Sequence, residues 1–295
     1  MKKALMIALT AIFAVALVLG CTGGGETKTT PGSGTGDGYT FKVEPTTIQG
    51  GGVATVQFTM TNMFDEKMDN VDVKMKSGTV PSSYTVSGGI TDQMLVPGQE
   101  FPVVFTITAP NQNGQINPVI EACFDYTTEF YWDSAFMPVT LATEEVSLDK
   151  GASTGPITVT VSGLDKAYVK SDMESKGVGA IGLSNNWQGE IKDFKNITIT
   201  VNDQSYFKSF EIGYAGCKGK ASETNKINTI QLSSSYADCT ILKGITAKNG
   251  IQPTLTINLD KYNLTEIKVD RFSGIAKYNY CYEVPLGTLI SQKVG

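Results

Sequence analysis

Strict alternation of apolar and polar residues restricts the fold of this chain more than any other pattern in it. Within residues 53–62, one side of an extended chain carries Ala54, Val56, Phe58 and Met60, and the other side carries Thr55, Gln57, Thr59 and Thr61. Side chains of a β-strand point to opposite faces with a period of two, so the pattern predicts a half-buried strand. The alternation recurs in residues 71–75, 101–107, 120–126, 157–161, 197–201 and 254–259, and further strands are predicted over residues 275–282 and 289–294. No stretch has a convincing period of 3.6, and the sequence predicts an all-β protein.

The predicted strands, which are separated by turns, fall into two groups along the chain. Pro97-Gly98 and Asn113-Gly114 favour tight turns between neighbouring strands. About seven short strands in residues 39–142 predict an antiparallel β-sandwich. Residues 143–295 repeat the pattern less regularly and predict a second, divergent β-sandwich. We therefore predict two tandem antiparallel β-sandwich domains.

The first residues have the layout of an export signal. Two lysines precede an apolar run that is too short for a comfortable membrane span and ends in Gly20-Cys21. Residues 1–20 are predicted to be a signal peptide with a lipobox that ends at Cys21, the residue that would carry a lipid. The alternative is an uncleaved membrane anchor. Residues 21–38 are rich in glycine, serine and threonine and predict a flexible tether.

Four segments of the first predicted domain together resemble a known family. They read GGVATVQFTMTN, NVDVKM, LVPGQEFPVVFTITAP and IEACFDY. This series resembles the immunoglobulin-like domains of archaeal and bacterial surface proteins, of the cell-adhesion-related (CARDB) and S-layer-associated types. The resemblance covers residues 39–141. It implies an immunoglobulin-like fold and a location on the cell surface, together with the lipobox an archaeal or bacterial surface lipoprotein, and it supplies no catalytic residue.

Composition excludes several classes of function. The hydrophobic content of 41% is enough for a packed core, and the net charge of −5 comes without a basic cluster, so nucleic acid is not an expected partner. The chain contains no histidine, which removes the commonest general base, the Ser-His-Asp triad and nearly all zinc enzymes. We expect no enzymatic activity and no cofactor.

Four cysteines remain when Cys21 is assigned to the lipid. Outside the cell they can form disulfides, and four cysteines allow three pairings. We favour Cys217–Cys239, because both lie in polar, loop-like sequence of one predicted domain. Cys123 and Cys281 lie in strand-like runs of different predicted domains, where the simplest interpretation is a pair of buried free thiols.

An acidic loop is a weak candidate for calcium. Asp65, Glu66 and Asp69 offer the oxygen ligands that a hard cation prefers, but Lys67 intrudes and the spacing matches no EF-hand. The competing interpretation is a solvated hairpin loop.

Aromatic residues beside carboxylates suggest a ligand platform. Tyr131 and Trp132 lie between Glu129 and Asp133, and Trp187 follows two asparagines. Such rings suit sugar stacking or a protein partner, but the favoured interpretation is that they cap the sandwich or pack against the second domain. A glycosidase pair of Glu129 and Asp133 would need a cleft, which nothing in the sequence indicates.

Two Asn-x-Thr sequons, at Asn196 and Asn263, are candidates for glycosylation. The main hypothesis is a non-enzymatic, lipid-anchored protein on the outer face of the cell membrane, acting in envelope structure or adhesion through a protein or glycan partner. One alternative is a glycan- or solute-binding module that serves a transporter or hydrolase. Another is a subunit of a surface filament or S-layer. Ligand capture predicts a concave pocket lined by Tyr131, Trp132 or Trp187, whereas assembly predicts buried rings and flat sheet edges.

Overall fold

The computed structural model describes residues 33–185, 187–201, 205–221, 228–242 and 251–295. The first eleven strands are β1 Ser33–Gly36, β2 Tyr39–Glu44, β3 Thr47–Gln49, β4 Val53–Thr61, β5 Met68–Met75, β6 Thr85–Gly88, β7 Ile90–Leu95, β8 Glu100–Thr108, β9 Gly114–Ile116, β10 Val119–Pro138 and β11 Lys150–Ala152. The others are β12 Ile157–Ser162, β13 Lys166–Val169, β14 Ser175–Asn185, β15 Glu190–Val201, β16 Phe207–Tyr214, β17 Cys217–Lys218, β18 Lys220–Ala221, β19 Asn228–Ser233, β20 Thr254–Leu259, β21 Lys268–Pro285 and β22 Leu289–Gln292. Short 3-10 helices span Val139–Leu141 and Ala237–Leu242. The all-β prediction is confirmed.

The strands form four sheets. The N-terminal sheet has the order β1-β2-β4-β8-β6, and the C-terminal sheet has the order β12-β14-β20-β16-β17. The central sheet has the order β18-β19-β15-β21-β10-β5-β7, and β11 and β13 also pair with β10. A small sheet joins β3, β22 and β9. The pairings are antiparallel except β10 with β13 and β3 with β22.

The long strands β10 and β21 hold the central sheet together. They pair without a register shift from Val119 opposite Pro285 to Phe136 opposite Lys268. Residues of β10 alternate along most of its length between buried and half-exposed positions, so one face is core and the other faces solvent. The sequence predicted the strand over residues 120–126, and the structure extends it to Pro138.

Both outer sheets pack on the apolar face of the central sheet. Tyr39 of the N-terminal sheet stacks on Tyr282 of β21, with ring centroids 5.9 Å apart. Phe207 of the C-terminal sheet meets Phe136 of β10 edge-on at 5.0 Å. The two predicted sandwiches therefore share one central layer, and residues 32–295 form one compact unit. The domain boundary between residues 142 and 143 stays a prediction.

Two disulfides cross-link the chain. Cys217–Cys239, the favoured pairing, is present. The interpretation of Cys123 and Cys281 as free thiols is wrong, because these residues also form a disulfide. The prediction placed the two cysteines in separate domains and so missed their proximity. In the structure β10 and β21 are neighbours, and the two cysteines lie directly opposite each other in the register.

Ordered structure begins before Tyr39, inside the predicted tether. Ser33–Gly36 form β1, which pairs with β2 around a two-residue turn at Asp37-Gly38. Gly38 has φ of 78°, a value that glycine adopts without steric cost. The Asp-Gly turn was the missed signal, because main-chain pairing needs no apolar side chain. The predicted signal peptide, Cys21 and the rest of the tether lie outside the described residues.

Candidate functional site

Trp132 lies in the core. Its exposed fraction is 1%, and its ring stacks on Phe272 with centroids 4.8 Å apart. The indole Nε1–H donates to Ser134 Oγ at 3.1 Å. The hypothesis that Trp132 contacts a ligand is wrong, because even-numbered residues of β10 face the packed side of the central sheet.

Trp187 closes one end of the aromatic core. Its ring meets Tyr282 edge-on at 4.8 Å and Phe64 edge-on at 5.1 Å. The loop that carries it is held by Tyr280, whose hydroxyl donates to Asn185 Oδ1 and accepts from the Gly189 N–H, both at 2.8 Å. Burial raises the pKa of Tyr280 to about 12. The Trp187 ring thus packs against at least two other rings and is half-buried, which favours a packing role.

Tyr131 points to the opposite side of β10 from Trp132. The Arg271 guanidinium carbon lies 4.5 Å from the centre of its ring, within the range of a cation–π contact. The Tyr131 hydroxyl donates to Asp149 Oδ2 at 3.1 Å, a bond that raises the pKa of the phenol.

The carboxylate of Asp133 forms an ion pair with the same arginine. Arg271 donates from Nε at 2.8 Å and from Nη2 at 3.1 Å to the two oxygens of Asp133. These bonds hold the pKa of Asp133 below its usual value. A glycosidase needs one carboxyl with a raised pKa as general acid, and Asp133 has the opposite shift.

A groove of about 210 Å³ lies beside Tyr131. It is lined by Phe130, Tyr131, Lys150, Gly151, Ala152, Val159, Thr160 and Val161. One wall is β11, at the rim of the central sheet, and the other wall is β12, at the rim of the C-terminal sheet. The groove follows a sheet edge, and of the three predicted rings it is lined by Tyr131 but not by Trp132 or Trp187.

The edge strand β12 has the sequence ITVTVS, and among the described strands it pairs only with β14. Ile157 is buried, Val159 and Val161 are half-buried, and the hydroxyl residues between them are exposed. The alternation predicted this strand, but sequence reasoning did not place it at an edge. The missed signal was its lack of charge and proline, and only the sheet order shows which side is open.

A second concavity, of about 570 Å³, lies on the C-terminal sheet at the turn between β16 and β17. Tyr214, Glu211, Lys218 and Thr256 contribute to its wall. The turn is tight, with positive φ at Ala215 and Gly216, and Cys217 beyond it is fixed by the disulfide to Cys239. None of the predicted aromatic residues lines this concavity.

The acidic loop does not bring its carboxylates together. Asp65 Oδ2 accepts the Thr154 N–H at 2.8 Å, a bond that lowers the pKa of Asp65. Asp69 pairs with Lys67 at 3.0 Å, and the Glu66 N–H donates to the Tyr126 hydroxyl. In the ranges that the structure covers, no group of three His, Cys, Asp or Glu side chains is placed to hold a metal ion.

A polar network on the solvent side of the central sheet escaped sequence reasoning. Asp125 Oδ2 accepts from Asn70 Nδ2 at 2.6 Å and from Lys195 Nζ, and Oδ1 accepts from Asn279 Nδ2 at 3.1 Å. Burial alone would raise the pKa of Asp125, but the three donors together lower it. The donors come from β5, β15 and β21, so the network joins four neighbouring strands.

The two sequons lie in different surroundings. Asn196 is half-buried within β15, between paired residues of β19 and β21. Asn263 is exposed in the connection between β20 and β21. Enzymatic glycosylation requires an accessible asparagine, so Asn263 is the better placed candidate. Across the described residues, no helix has the length and apolar character needed to span a membrane.

Comparisons with known proteins give no family. No family model matches the chain, and no curated protein matches it significantly. The collagen adhesin CNA of S. aureus is 11% identical over 88% of this chain and 94% of its own, with a TM-score of 0.21. The C-terminal domain of the AgI/II polypeptide BspA of Streptococcus agalactiae is 7% identical over 83% of this chain and 94% of its own, with a TM-score of 0.25.

The secreted serine protease VesC of Vibrio cholerae is 9% identical over 84% of this chain, with a TM-score of 0.21. This chain spans about half of the VesC chain, 51% of its length. At these identities and TM-scores the likenesses carry no argument about function.

Proposed function

We propose that this chain is a non-enzymatic, lipid-anchored protein of the outer cell surface, which acts by contact in envelope structure or adhesion. Its membrane partner is the bilayer, reached through a lipid on Cys21. Its other partner is a protein or glycan of the envelope. The proposal includes an immunoglobulin-like fold of the CARDB type for the sandwich in residues 39–142.

The observation that supports contact over capture is the placement of the predicted rings. Trp132 is buried, Trp187 packs among other rings, and Tyr131 lines a groove with Arg271 lying over its ring. The packed tryptophan rings favour assembly, because a capture site needs exposed rings around a concavity, and of the three predicted rings Tyr131 alone lines one among the described residues. The two disulfides fit an oxidising compartment outside the cell.

The anchor is tested in cells with the full-length chain and its Cys21→Ser variant. We expect the wild-type chain to incorporate a labelled lipid precursor and to partition into detergent. The Cys21→Ser variant should do neither, because a thioether-linked lipid needs the cysteine sulfur. Protease added to intact cells should remove the wild-type protein. A wild-type chain that stays in the aqueous phase contradicts the anchor.

Contact is tested by sedimentation of the full-length chain with isolated envelopes. We expect the Cys21→Ser variant, which has no lipid, to cosediment with envelopes in a saturable manner. Heat-denatured Cys21→Ser chain is the control for nonspecific trapping. Saturable binding of the folded chain supports the proposal. Failure of the folded chain to sediment overturns it.

Capture of a glycan or solute is the second candidate, and the 570 Å³ concavity favours it. Tyr214 supplies a ring, and Glu211 and Lys218 supply hydrogen-bonding groups, as sugar recognition requires. Calorimetric titration with envelope oligosaccharides should then show binding that Tyr214→Ala abolishes. Tyr131→Ala is the matched control, because Tyr131 lines the other groove.

A further inference from the structure

We propose that the edge strand β12 pairs with β12 of a second copy of this chain. The two strands run antiparallel with Thr160 opposite Thr160, and they join the C-terminal sheets of both copies into one continuous sheet. This inference rests on the proposed contact function and names its partner.

The backbone of β14 shows which groups of β12 are available. Ile181 N–H donates to Pro253 O at 2.9 Å and Leu183 N–H donates to Ile251 O at 2.8 Å, both away from β12. Hydrogen-bonding direction alternates along an antiparallel strand, so Gly182 between them faces β12. Gly182 is the register partner of Thr160, and Thr160 therefore bonds inward.

The same alternation directs the N–H and C=O groups of Val159 and Val161 to the open side. Neither residue has a hydrogen bond on that side to any part of the chain that the structure describes. Ile157, at the start of the strand, is different, because its N–H reaches the Tyr278 hydroxyl. The open stretch thus begins at Val159.

β12 lacks the devices that protect other edges of this molecule. Natural edge strands are shielded by charge, proline, bulges or short length. The edge strand β7 contains Asp92 with φ of 55° and irregular register, and β17 has two residues. β12 has six residues, no charge, no proline and an unbroken register with β14.

A second β12 fits this edge residue by residue. With Thr160 opposite itself, Val159 lies opposite Val161, and Thr158 lies opposite Ser162. Each Val159–Val161 pair is then a hydrogen-bonded pair that exchanges two main-chain bonds. The two-fold axis is perpendicular to the sheet, so the valines of both copies stay on the core side and the hydroxyl residues stay on the solvent side.

The groove under the edge leaves room for the partner. Its volume is about 210 Å³, and β11 contributes the small residues Gly151 and Ala152 to its wall. The apolar side chains of the added strand would lie over this wall. A contact of one short strand is small, so we expect a weak dimer that forms at the high protein concentrations used in sedimentation equilibrium.

Cysteine cross-linking tests the pairing and its register. All variants carry Cys21→Ser, so that the introduced cysteine is the single unpaired thiol. Two Thr160→Cys residues would face each other at a Cα separation of about 4.5 Å, within the range of a disulfide. Two Thr158→Cys residues would be about 13 Å apart along the strand. We expect a reducible dimer from full-length Thr160→Cys under mild oxidation, and at least tenfold less from the Thr158→Cys control.

A charge at the same position gives a second measurement. Thr160→Lys places like charges opposite each other across the two-fold axis, and we expect the dimer dissociation constant from sedimentation equilibrium to rise about fivefold or more. Val104→Lys is the matched control, because Val104 is an exposed valine of β8, with 54% of its surface accessible. It should leave dimerisation unchanged.

Equal cross-linking of Thr160→Cys and Thr158→Cys, or a monomer at every concentration measured, overturns the self-pairing. A third outcome would also overturn it: both the parent chain and the Thr160→Lys variant are monomers, but only the variant fails to bind envelopes. That result would assign the edge of β12 to another partner. Failure of envelope binding with intact Thr160→Cys cross-linking contradicts the proposed function and leaves the pairing standing.

Discussion

Two parts of this molecule are closed by a disulfide at very different distances along the chain. Cys123–Cys281 joins the central strands β10 and β21 across a sequence separation of 158, whereas Cys217–Cys239 closes a local segment with a separation of 22. The local bond was predicted from the sequence and the distant one was not. The difference teaches that the centre of this fold is built from residues that are far apart in the sequence.

The largest expected effect comes from removing the distant cross-link. In the chain-entropy treatment, a loop of 158 residues costs the unfolded chain about 5 kcal/mol. We expect Cys123→Ser with Cys281→Ser to lower the free energy of unfolding by about this amount. Urea denaturation followed by fluorescence measures it. A loss no larger than that of the matching Cys217/Cys239 variant would remove the contrast between the two regions.

The next effect tests whether the central region depends on packing as well as on its cross-link. Trp132→Ala deletes a side chain that is 1% exposed and stacked on Phe272. We expect a loss of about 4 kcal/mol in the free energy of unfolding, typical for a buried aromatic residue. Tyr131→Ala is the control from the neighbouring position on the solvent side of β10, and it should cost less than about 1 kcal/mol.

The local cross-link should matter less. Replacing Cys217 and Cys239 by serine releases a loop with a separation of 22 residues, for which the same treatment gives about 3 kcal/mol. Denaturation of this variant beside the Cys123/Cys281 variant sharpens the comparison. An equal or larger loss here would mean that the local disulfide stabilises the fold at least as much as the Cys123–Cys281 disulfide does.

The smallest effect concerns the solvent side of the central sheet. Asp125→Asn removes the charge that Lys195 and two amide groups stabilise, and we expect a loss of about 1 kcal/mol at neutral pH, because the exposed Lys195 amine is screened by water.

The same group gives this loss a pH dependence. The pKa of Asp125 is lower in the folded chain than its ordinary value of 3.8. Its stabilisation is therefore complete above that value and disappears as the pH falls through the folded-state pKa. Denaturation between pH 7 and pH 2 should show the variant and the wild type converging at the acid end. A constant difference would contradict the linkage.

Strand positions could be predicted where one face of the strand is exposed to solvent. Residues 53–62 and 157–161 alternate because every second side chain is buried or half-buried, and β4 and β12 occupy these positions. The role of Trp132 could not be predicted, because alternation assigns it to a face without saying which face is covered. Tyr131 and Trp132 are adjacent in sequence, but Trp132 is buried and Tyr131 lies on the solvent side, because a sheet packs on only one side of β10.

The local pattern of consecutive residues determined the all-β class, the strand positions and the nearby disulfide. These features follow from periods and spacings that act within a few residues. The tertiary structure alone decided the pairing of β10 with β21, the distant disulfide, the burial of Trp132 and the open edge of β12. Each depends on which strands become neighbours, and the paired residues of β10 and β21 are separated by more than a hundred residues of chain.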